Sequence, residues 1–136
     1  MSNPIVLKVG ATQVLNAMIE GLQIGQSRKI DNGHGYMAVH VERIGPATWS
    51  VAHYYEQNGD LCCDPDVVFC KVYTGYMPVS FEQAGVIYQV AAELDANDQP
   101  TALREKTIKD LVVFCNGWMK NISEQQGGID AIRDAR

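Results

Sequence analysis

The stretch "VHVERIGPATWSVAHYYEQNGDLCCDPDVVFCKVY", residues 39–73, decides the fold, because apolar and polar residues alternate along much of it. An alternation with a period of two is typical of a strand that has one face in a core and one face outside it. The pattern predicts strands over YMAVHVERI at 36–44 and TWSVAHYYEQ at 48–57. His53 falls on the apolar face of the second strand, where a histidine is more often a packed residue than a ligand.

Turn signals join these strands into antiparallel pairs. A short connection at 45–47 places Val41 opposite Val51, which keeps the apolar side chains on one face. The Asn-Gly pair at 58–59 favours a type I′ turn, since that turn needs positive φ at both central residues. VVFCKVY at 67–73 then predicts a third strand near the middle of the sheet.

Two further strands are predicted beyond this region. PVSFEQ at 78–83 indicates a short edge strand, because Pro78 cannot donate to a ladder. GVIYQVAAEL at 85–94 indicates another strand, closed by the polar turn DANDQP. RKIDNGHG at 28–35 is typical of a turn.

Helices are predicted at both ends of the chain. The first occupies 1–25, with Asn3 as its N-cap and Pro4 in its first turn. The second occupies 104–127 and is followed by a short tail at 128–136. Apolar residues recur in the second helix at helical spacing: Ile108, Leu111, Val112, Cys115, Met119 and Ile122.

These elements predict an α+β fold, in which an antiparallel sheet of four to five strands at 36–94 has both helices packed on one face. The whole chain, 1–136, is predicted to form a single domain. The other face of the sheet carries polar and aromatic residues that suit a partner better than a core: Glu42, Ser50, Tyr54 and Glu56.

Composition excludes several classes of protein. The 136 residues are 46% apolar and 20% charged, which is typical of a globular chain and not of a disordered one. No apolar run approaches the roughly 20 residues that cross a bilayer, and the first ten residues do not have the pattern of a signal peptide. A cytoplasmic protein without a membrane contact is therefore predicted.

Negative charge is concentrated in the middle of the chain. The net charge is −5, but residues 44–103 hold eight acidic residues against one basic residue, Lys71, a net of −7. Such a segment repels a phosphate backbone, which disfavours direct nucleic-acid binding. It attracts a basic protein surface instead, although charge that only keeps the chain soluble is the simpler interpretation.

The cysteines do not indicate a redox or zinc site. Cys62, Cys63, Cys70 and Cys115 lack zinc-site spacing and are predicted to be reduced core residues. The acidic residues around the first two disfavour a nucleophilic thiolate, because they raise a thiol pKa. The sequence also lacks the common phosphate, dinucleotide and hydrolase motifs, so no catalytic residue and no cofactor are predicted.

The segment HYYEQNGDLCCDPD at 53–66 holds four acidic residues and raises the question of a divalent-metal site. Asp60, Asp64 and Asp66 could supply the oxygen ligands that Mg²⁺ and Ca²⁺ prefer. Their spacing lacks the central glycine and the distal glutamate of an EF-hand loop. A hairpin with solvated carboxylates is therefore the preferred interpretation, and a metal site stays as an alternative.

Three stretches resemble an uncharacterised family of small bacterial domains that occur largely on plasmids, phages and integrative elements. They are KIDNGHGYMAVHVERI at 29–44, WSVAHYYEQNGDLCCDPDVVF at 49–69 and KDLVVFCNGWMKNISEQQG at 109–127. The resemblance brings no catalytic residues with it. It implies a mobile-element context, in which small proteins often serve element maintenance or counter host defences.

These observations favour a non-catalytic protein that binds a basic surface of a host protein, with the anti-restriction or anti-CRISPR role that the resemblance implies. The predicted partner-binding residues are Tyr54, Glu56, Asn58, Asp60, Asp64 and Asp66. One alternative is a small metal-dependent hydrolase or nuclease, with the three aspartates as ligands and His53 as base. Another is a homodimeric scaffold that is joined through an exposed strand edge.

Overall fold

The computed structural model describes residues 5–33 and 35–136, and at residues 56 and 57 it describes the backbone alone. The predicted helix cap at Asn3 and Pro4 therefore lies outside the described residues. Within them, the helices are α1 (Val9–Ile19), α2 (Glu105–Gln125) and α3 (Ile129–Ala135). The strands are β1 (Ser27–Ile30), β2 (Val39–Gly45), β3 (Thr48–Gln57), β4 (Asp60–Val72), β5 (Gly75–Gln83), β6 (Ile87–Val90), β7 (Ala92–Leu94) and β8 (Pro100–Leu103).

The predicted α+β class is confirmed, but the sheet is larger than the four to five strands expected. Six antiparallel strands lie in the order β1 to β6, and β7 pairs with β8 in a separate two-stranded sheet. β1 occupies part of the segment at 28–35 that was predicted as a turn. The strand predicted at 85–94 is divided between β6 and β7, because the chain leaves the large sheet at Ala91.

The central hairpin forms as its sequence predicts. Val41 pairs with Val51 across β2 and β3, and β3 has the predicted bounds. Asn58 and Gly59 have φ values of 53° and 84°, as a type I′ turn requires. β4 begins directly after this turn, at Asp60, and is therefore much longer than the strand predicted at 67–73.

The pairing of β3 with β4 shifts at His53, which has both Asp64 and Pro65 opposite it. Such a β-bulge accommodates a proline that cannot donate to the ladder. It also separates neighbouring carboxylates. Asp64 lies on the side of the helices, where the amide of Gln83 donates to it, whereas Asp66 lies on the opposite face.

β5 is an interior strand, which corrects the prediction of an edge strand at 78–83. It pairs with β4 on one side and with β6 on the other. Pro78 is buried at a point where the register of β4 with β5 shifts between Val68 and Phe69. A proline is tolerated at such an irregularity because a ladder hydrogen bond is already missing there.

α1 and α2 pack on one face of the large sheet, as predicted. Val41, Val51 and Phe69 are fully buried there in one core cluster with residues of both helices. α1 ends at Ile19, well before residue 25, and the guanidinium of Arg28 donates to two carbonyl oxygens at this end. The predicted tail at 128–136 contains α3, which packs on α1. None of the helices in the described ranges is long and apolar enough to span a membrane.

The β7–β8 hairpin covers one end of the second face of the sheet. Its turn carries Asp98, whose carboxylate accepts hydrogen bonds from the Ala47 N–H and from the Thr48 hydroxyl, each at 2.9 Å. A side chain at Gly45 would collide with this carboxylate, so the contact requires a glycine. The rest of this face is left uncovered by helices or hairpins of the described chain.

Candidate functional site

The uncovered part of the second sheet face forms a continuous surface, called the open face below. Alternate residues of β1 to β6 build it, because successive side chains of a strand point to opposite faces. Its polar and aromatic members are Lys29, His40, Glu42, Ser50, Tyr54, Asp66, Glu82 and Tyr88. Three of the four residues predicted to share this face are therefore present on it, and the side chain of the fourth, Glu56, lies outside the described part of the chain.

Three carboxylates, those of Glu42, Asp66 and Glu82, are neighbours at the centre of the open face. Asp66 and Glu82 are direct cross-strand neighbours on β4 and β5, and Glu42 lies beside Ser50 on β2 and β3. The hydroxyl of Ser50 donates to Asp66 at 2.6 Å. Burial raises the pKa of Asp66 above its ordinary value, the Ser50 hydrogen bond lowers it, and the two glutamates raise it further.

Tyr54 stands among these carboxylates. Its ring contacts that of His40 edge to face, with 5.0 Å between the ring centroids. Burial raises the pKa of the Tyr54 hydroxyl, and the nearby carboxylates, Asp66 foremost, raise it further. Burial and then Lys29 lower the pKa of His40, so this imidazole is mainly neutral at pH 7 and does not offset the negative charge.

Positive charge on the open face lies at its edge. Among the described residues of this face, Lys29 is the one side chain with a full positive charge at pH 7. It is exposed on β1, and its Nζ lies 3.9 Å from a carboxylate oxygen of Asp31. The centre of the open face therefore combines three carboxylates with a tyrosine, and Lys29 at the edge lines one concave surface together with Glu42 and Tyr54.

The structure distributes five of the six predicted partner-binding residues over three places, and the side chain of the sixth, Glu56, lies outside the described part of the chain. Tyr54 and Asp66 lie on the open face. Asn58 and Asp60 lie at the exposed tip of the β3–β4 hairpin. Asp64 lies on the side of the helices, where it accepts a hydrogen bond of 2.6 Å from Gln83 Nε2. Partner binding by any of these residues stays a prediction.

The carboxylates of the metal-site alternative do not converge. Asp64 and Asp66 lie on opposite sides of the sheet, and Asp60 lies at the hairpin tip. Among the residues that the structure describes, no group of three histidine, cysteine, aspartate or glutamate residues could hold a metal ion. The geometry therefore gives the metal-dependent alternative no support.

His53, Cys70 and Cys115 are packed residues, as predicted, whereas the prediction is wrong for Cys62 and Cys63, which are only half-buried. His53 is buried, and its Nδ1 lies 3.1 Å from the carbonyl oxygen of Ala38. Cys70 and Cys115 are fully buried, and burial raises the pKa of the Cys70 thiol to about 11. Cys63 is half-buried, and burial together with nearby carboxylates raises its thiol pKa as well. These three thiols are unsuited to nucleophilic chemistry at pH 7.

The sequence analysis missed Lys29 and His40 of the open face, and it also missed two members at the other end of the sheet, Glu82 and Tyr88. Both lie on strands whose position in the sheet was not predicted, β5 and β6. The alternation of Ser80, Phe81 and Glu82 shows that the first and third share a face, but it does not show that this face is the open one. Only the order of strands brings Glu82 beside Asp66.

A family model described as a domain of unknown function (DUF6908) matches residues 11–128. The match spans most of the chain and includes every element from α1 to α2 except the first two residues of α1. The curated proteins and the solved structures contain no match to this chain.

Proposed function

The chain belongs to the DUF6908 family of domains of unknown function, and we propose that it is a non-catalytic binding protein whose open face docks on a basic surface of a partner protein. The observation that carries this proposal is the direct cross-strand pairing of Asp66 with Glu82 on an uncovered face. Like charges at directly opposed positions destabilise a sheet. A cationic partner would relieve this repulsion on binding.

The surroundings of this pair support a protein as the partner. Tyr54 and Tyr88 flank the carboxylates, and tyrosine is enriched where proteins meet, because it offers apolar area and a hydroxyl on a stiff side chain. A phosphate backbone would be repelled by Glu42, Asp66 and Glu82 together. A lysine- or arginine-rich protein surface complements the carboxylates and can also pack against the tyrosines.

A more specific form of this proposal comes from the mobile-element context. The resemblance of the chain to domains carried on plasmids and phages implies a host protein as the partner. A protein that holds nucleic acid has the required basic surface, and an acidic domain that covers it would inhibit it. We therefore propose, more specifically, that the chain inhibits a restriction or CRISPR complex, and this part of the proposal rests on that resemblance.

The test is affinity capture from a lysate of the cells in which the protein occurs, with a double variant beside the wild type. Glu42→Gln and Glu82→Gln together remove two charges from the open face and leave the half-buried Asp66 in place. We expect the wild type to retain a nucleic-acid-handling protein at about 0.1 M salt and to release it at about 0.5 M. The double variant should retain less of this protein, by about tenfold or more.

A matched control removes the same number of negative charges outside the open face. Glu124→Gln on α2 with Asp134→Asn on α3 removes two charges from exposed helical positions. This control should capture the partner as the wild type does. Equal capture by the control and by the open-face variant at both salt concentrations, or an empty column for the wild type, would contradict the proposal.

We also propose that the chain forms a homodimer through β6. This strand is one edge of the large sheet, and the segment from Val86 to Val90 has no charged residue. Val86, Ile87 and Tyr88 are all exposed. The guanidinium of Arg104 donates to the carbonyl oxygen of Val90 at the end of the strand, which leaves an uncharged, exposed edge over 86–89. Such an edge is a template for pairing with a second chain.

A further inference from the structure

A concave site lies on the helix side of the sheet, between β3–β5 and the C-terminal half of α2. It has a volume of about 320 Å³ and is called the ring-lined cleft below. Four rings follow one another along it, those of Phe81, Phe114, Trp118 and His53. Their successive centroids are 5.6, 5.9 and 5.7 Å apart. The cleft therefore offers an extended aromatic surface.

The cleft also contains a carboxylate without a counter-ion. Asp64 is half-buried and accepts one hydrogen bond, from Gln83 Nε2 at 2.6 Å. None of the ion pairs among the described residues includes it. Its neighbours in the lining add no positive charge, since no lysine or arginine of the described chain lines the cleft.

His53 presents a further acceptor. Its Nδ1 lies 3.1 Å from the carbonyl oxygen of Ala38, and this contact is a hydrogen bond only if Nδ1 carries the proton. In the neutral ring, Nε2 is then left with its lone pair. Burial lowers the pKa of His53, so the ring is mainly neutral at pH 7. A carboxylate and an imidazole nitrogen can thus both accept hydrogen bonds beside the aromatic rings.

We propose that the ring-lined cleft binds an organic cation, a guanidinium or alkylammonium group carried on an apolar stem. Aromatic faces attract such cations electrostatically, and the stem of an arginine, a lysine or a diamine packs on apolar rings. The Asp64 carboxylate then makes the charge-assisted hydrogen bond that fixes the cationic head. A neutral or anionic ligand would leave this carboxylate unpaired in a partly apolar site.

This site is independent of the proposed docking of the open face. Asp64 and the rings lie on the side of the helices, whereas Asp66, Glu82 and Tyr54 lie on the opposite face of the sheet. The two sites can therefore be tested by substitutions that do not overlap, and failure of one does not decide the other.

The test is a titration of the folded chain, followed by the NMR signals of the His53 and Trp118 rings. The probes are Nα-acetyl-arginine amide, which represents a protein side chain, and butane-1,4-diamine, which represents a free polyamine. Nα-acetyl-norleucine amide is the neutral control of similar length. We expect saturable shifts with at least one cation, with a Kd of about 1 mM, and no saturation with the neutral probe. The tighter of the two cations identifies the source.

Variants separate the carboxylate from the rings. Asp64→Asn should weaken the binding of the cation about tenfold or more, and Asp134→Asn, the same change at an exposed position of α3, should not alter it. Phe114→Leu keeps an apolar side chain at a position that is 42% exposed and removes the aromatic face, so it should weaken binding several-fold without unfolding the chain.

Two results would overturn the inference. One is the absence of saturable shifts with both cations, and the other is equal binding of the neutral probe. Unchanged cation binding by both Asp64→Asn and Phe114→Leu would have the same meaning, because it would place the ligand outside this cleft.

Discussion

The charge of Asp66 destabilises the folded protein but favours the proposed binding of a basic partner. It is half-buried, lies directly opposite Glu82 and accepts a hydrogen bond from Ser50. The folded state holds the pKa of Asp66 above its ordinary value of 3.8, chiefly through burial. Between these two pKa values the folded chain binds more protons than the unfolded chain. Stability must therefore fall as the pH rises through this range.

Replacement of Asp66 by Asn should therefore stabilise the protein at pH 7. The amide oxygen can still accept from Ser50, and the repulsion by Glu82 is removed, which is worth about 0.5 kcal/mol for an opposed pair in a sheet. Urea unfolding at several values between pH 4 and pH 7 measures the effect. The advantage of the variant should shrink toward pH 4, because the wild-type carboxyl becomes protonated there.

The control for this substitution is Asp60→Asn. Asp60 lies at the exposed hairpin tip, so the same loss of charge should leave the free energy of unfolding nearly unchanged. If Asp66→Asn is less stable than the wild type at pH 7, the Ser50 hydrogen bond outweighs the repulsion, and the main support for a strained, binding-competent open face is lost.

At the scale of elements, backbone conformation decides which glycines can be replaced. Gly59 has a φ of 84° in the β3–β4 turn, where a Cβ is strained although nothing else is near it. Gly117 lies within α2, and a Cβ there also meets nothing within 4 Å. Gly59→Ala should therefore destabilise the protein by about 1 kcal/mol, and Gly117→Ala should stabilise it by about the same amount.

Thermal and urea unfolding of the two variants provide the measurement. The substitution is the same in both variants. Opposite signs of the change in the free energy of unfolding would therefore be caused by the backbone conformation and not by the added methyl group. A loss of stability in Gly117→Ala would show that the exposed surface of α2 around residue 117 makes a contact that the fold does not explain.

The elements with strong local signals are those that the sequence predicts well. The Asn-Gly pair at 58–59 fixes a turn, and the alternation around it fixes the register of β2 with β3. The helical spacing of apolar residues from Ile108 to Ile122 places α2 within two residues of its bounds. In each case the information lies within a short window of the chain.

The elements that the sequence predicts poorly depend on distant contacts. Pro78 suggests an edge strand, yet a register shift lets β5 lie inside the sheet. The bulge opposite His53 turns Asp64 and Asp66 to opposite faces, so residues that look like one acidic cluster serve two surfaces. The ring-lined cleft is lined by residues of β3, β4, β5 and α2, and no local sequence pattern predicts it.

At the scale of the molecule, the large sheet has two edges that differ in their chemistry. β1 carries Arg28 and Lys29, and charged side chains on an edge strand hinder pairing with another sheet. β6 carries no charge, and Val86, just before it, is 85% exposed. Association through β6 is therefore favoured over association through β1.

We expect the purified chain to change from monomer to dimer between about 1 and 100 µM, as a short interface of this kind predicts. Sedimentation velocity over this range measures it. Val86→Lys places a charge at the β6 edge and should keep the chain monomeric. Val113→Lys makes the same change at an exposed position of α2 and should dimerise as the wild type does.

The proposed dimer would also have a consequence for the open face. Two β6 strands that pair antiparallel about an axis perpendicular to the sheet place both open faces on the same side. The acidic surface is then doubled, and a partner with an extended basic surface is held by two faces at once. Val86→Lys should therefore weaken partner capture even though it leaves Glu42, Asp66 and Glu82 in place. A wild-type chain that stays monomeric at every concentration would remove this coupling and leave each open face to bind alone.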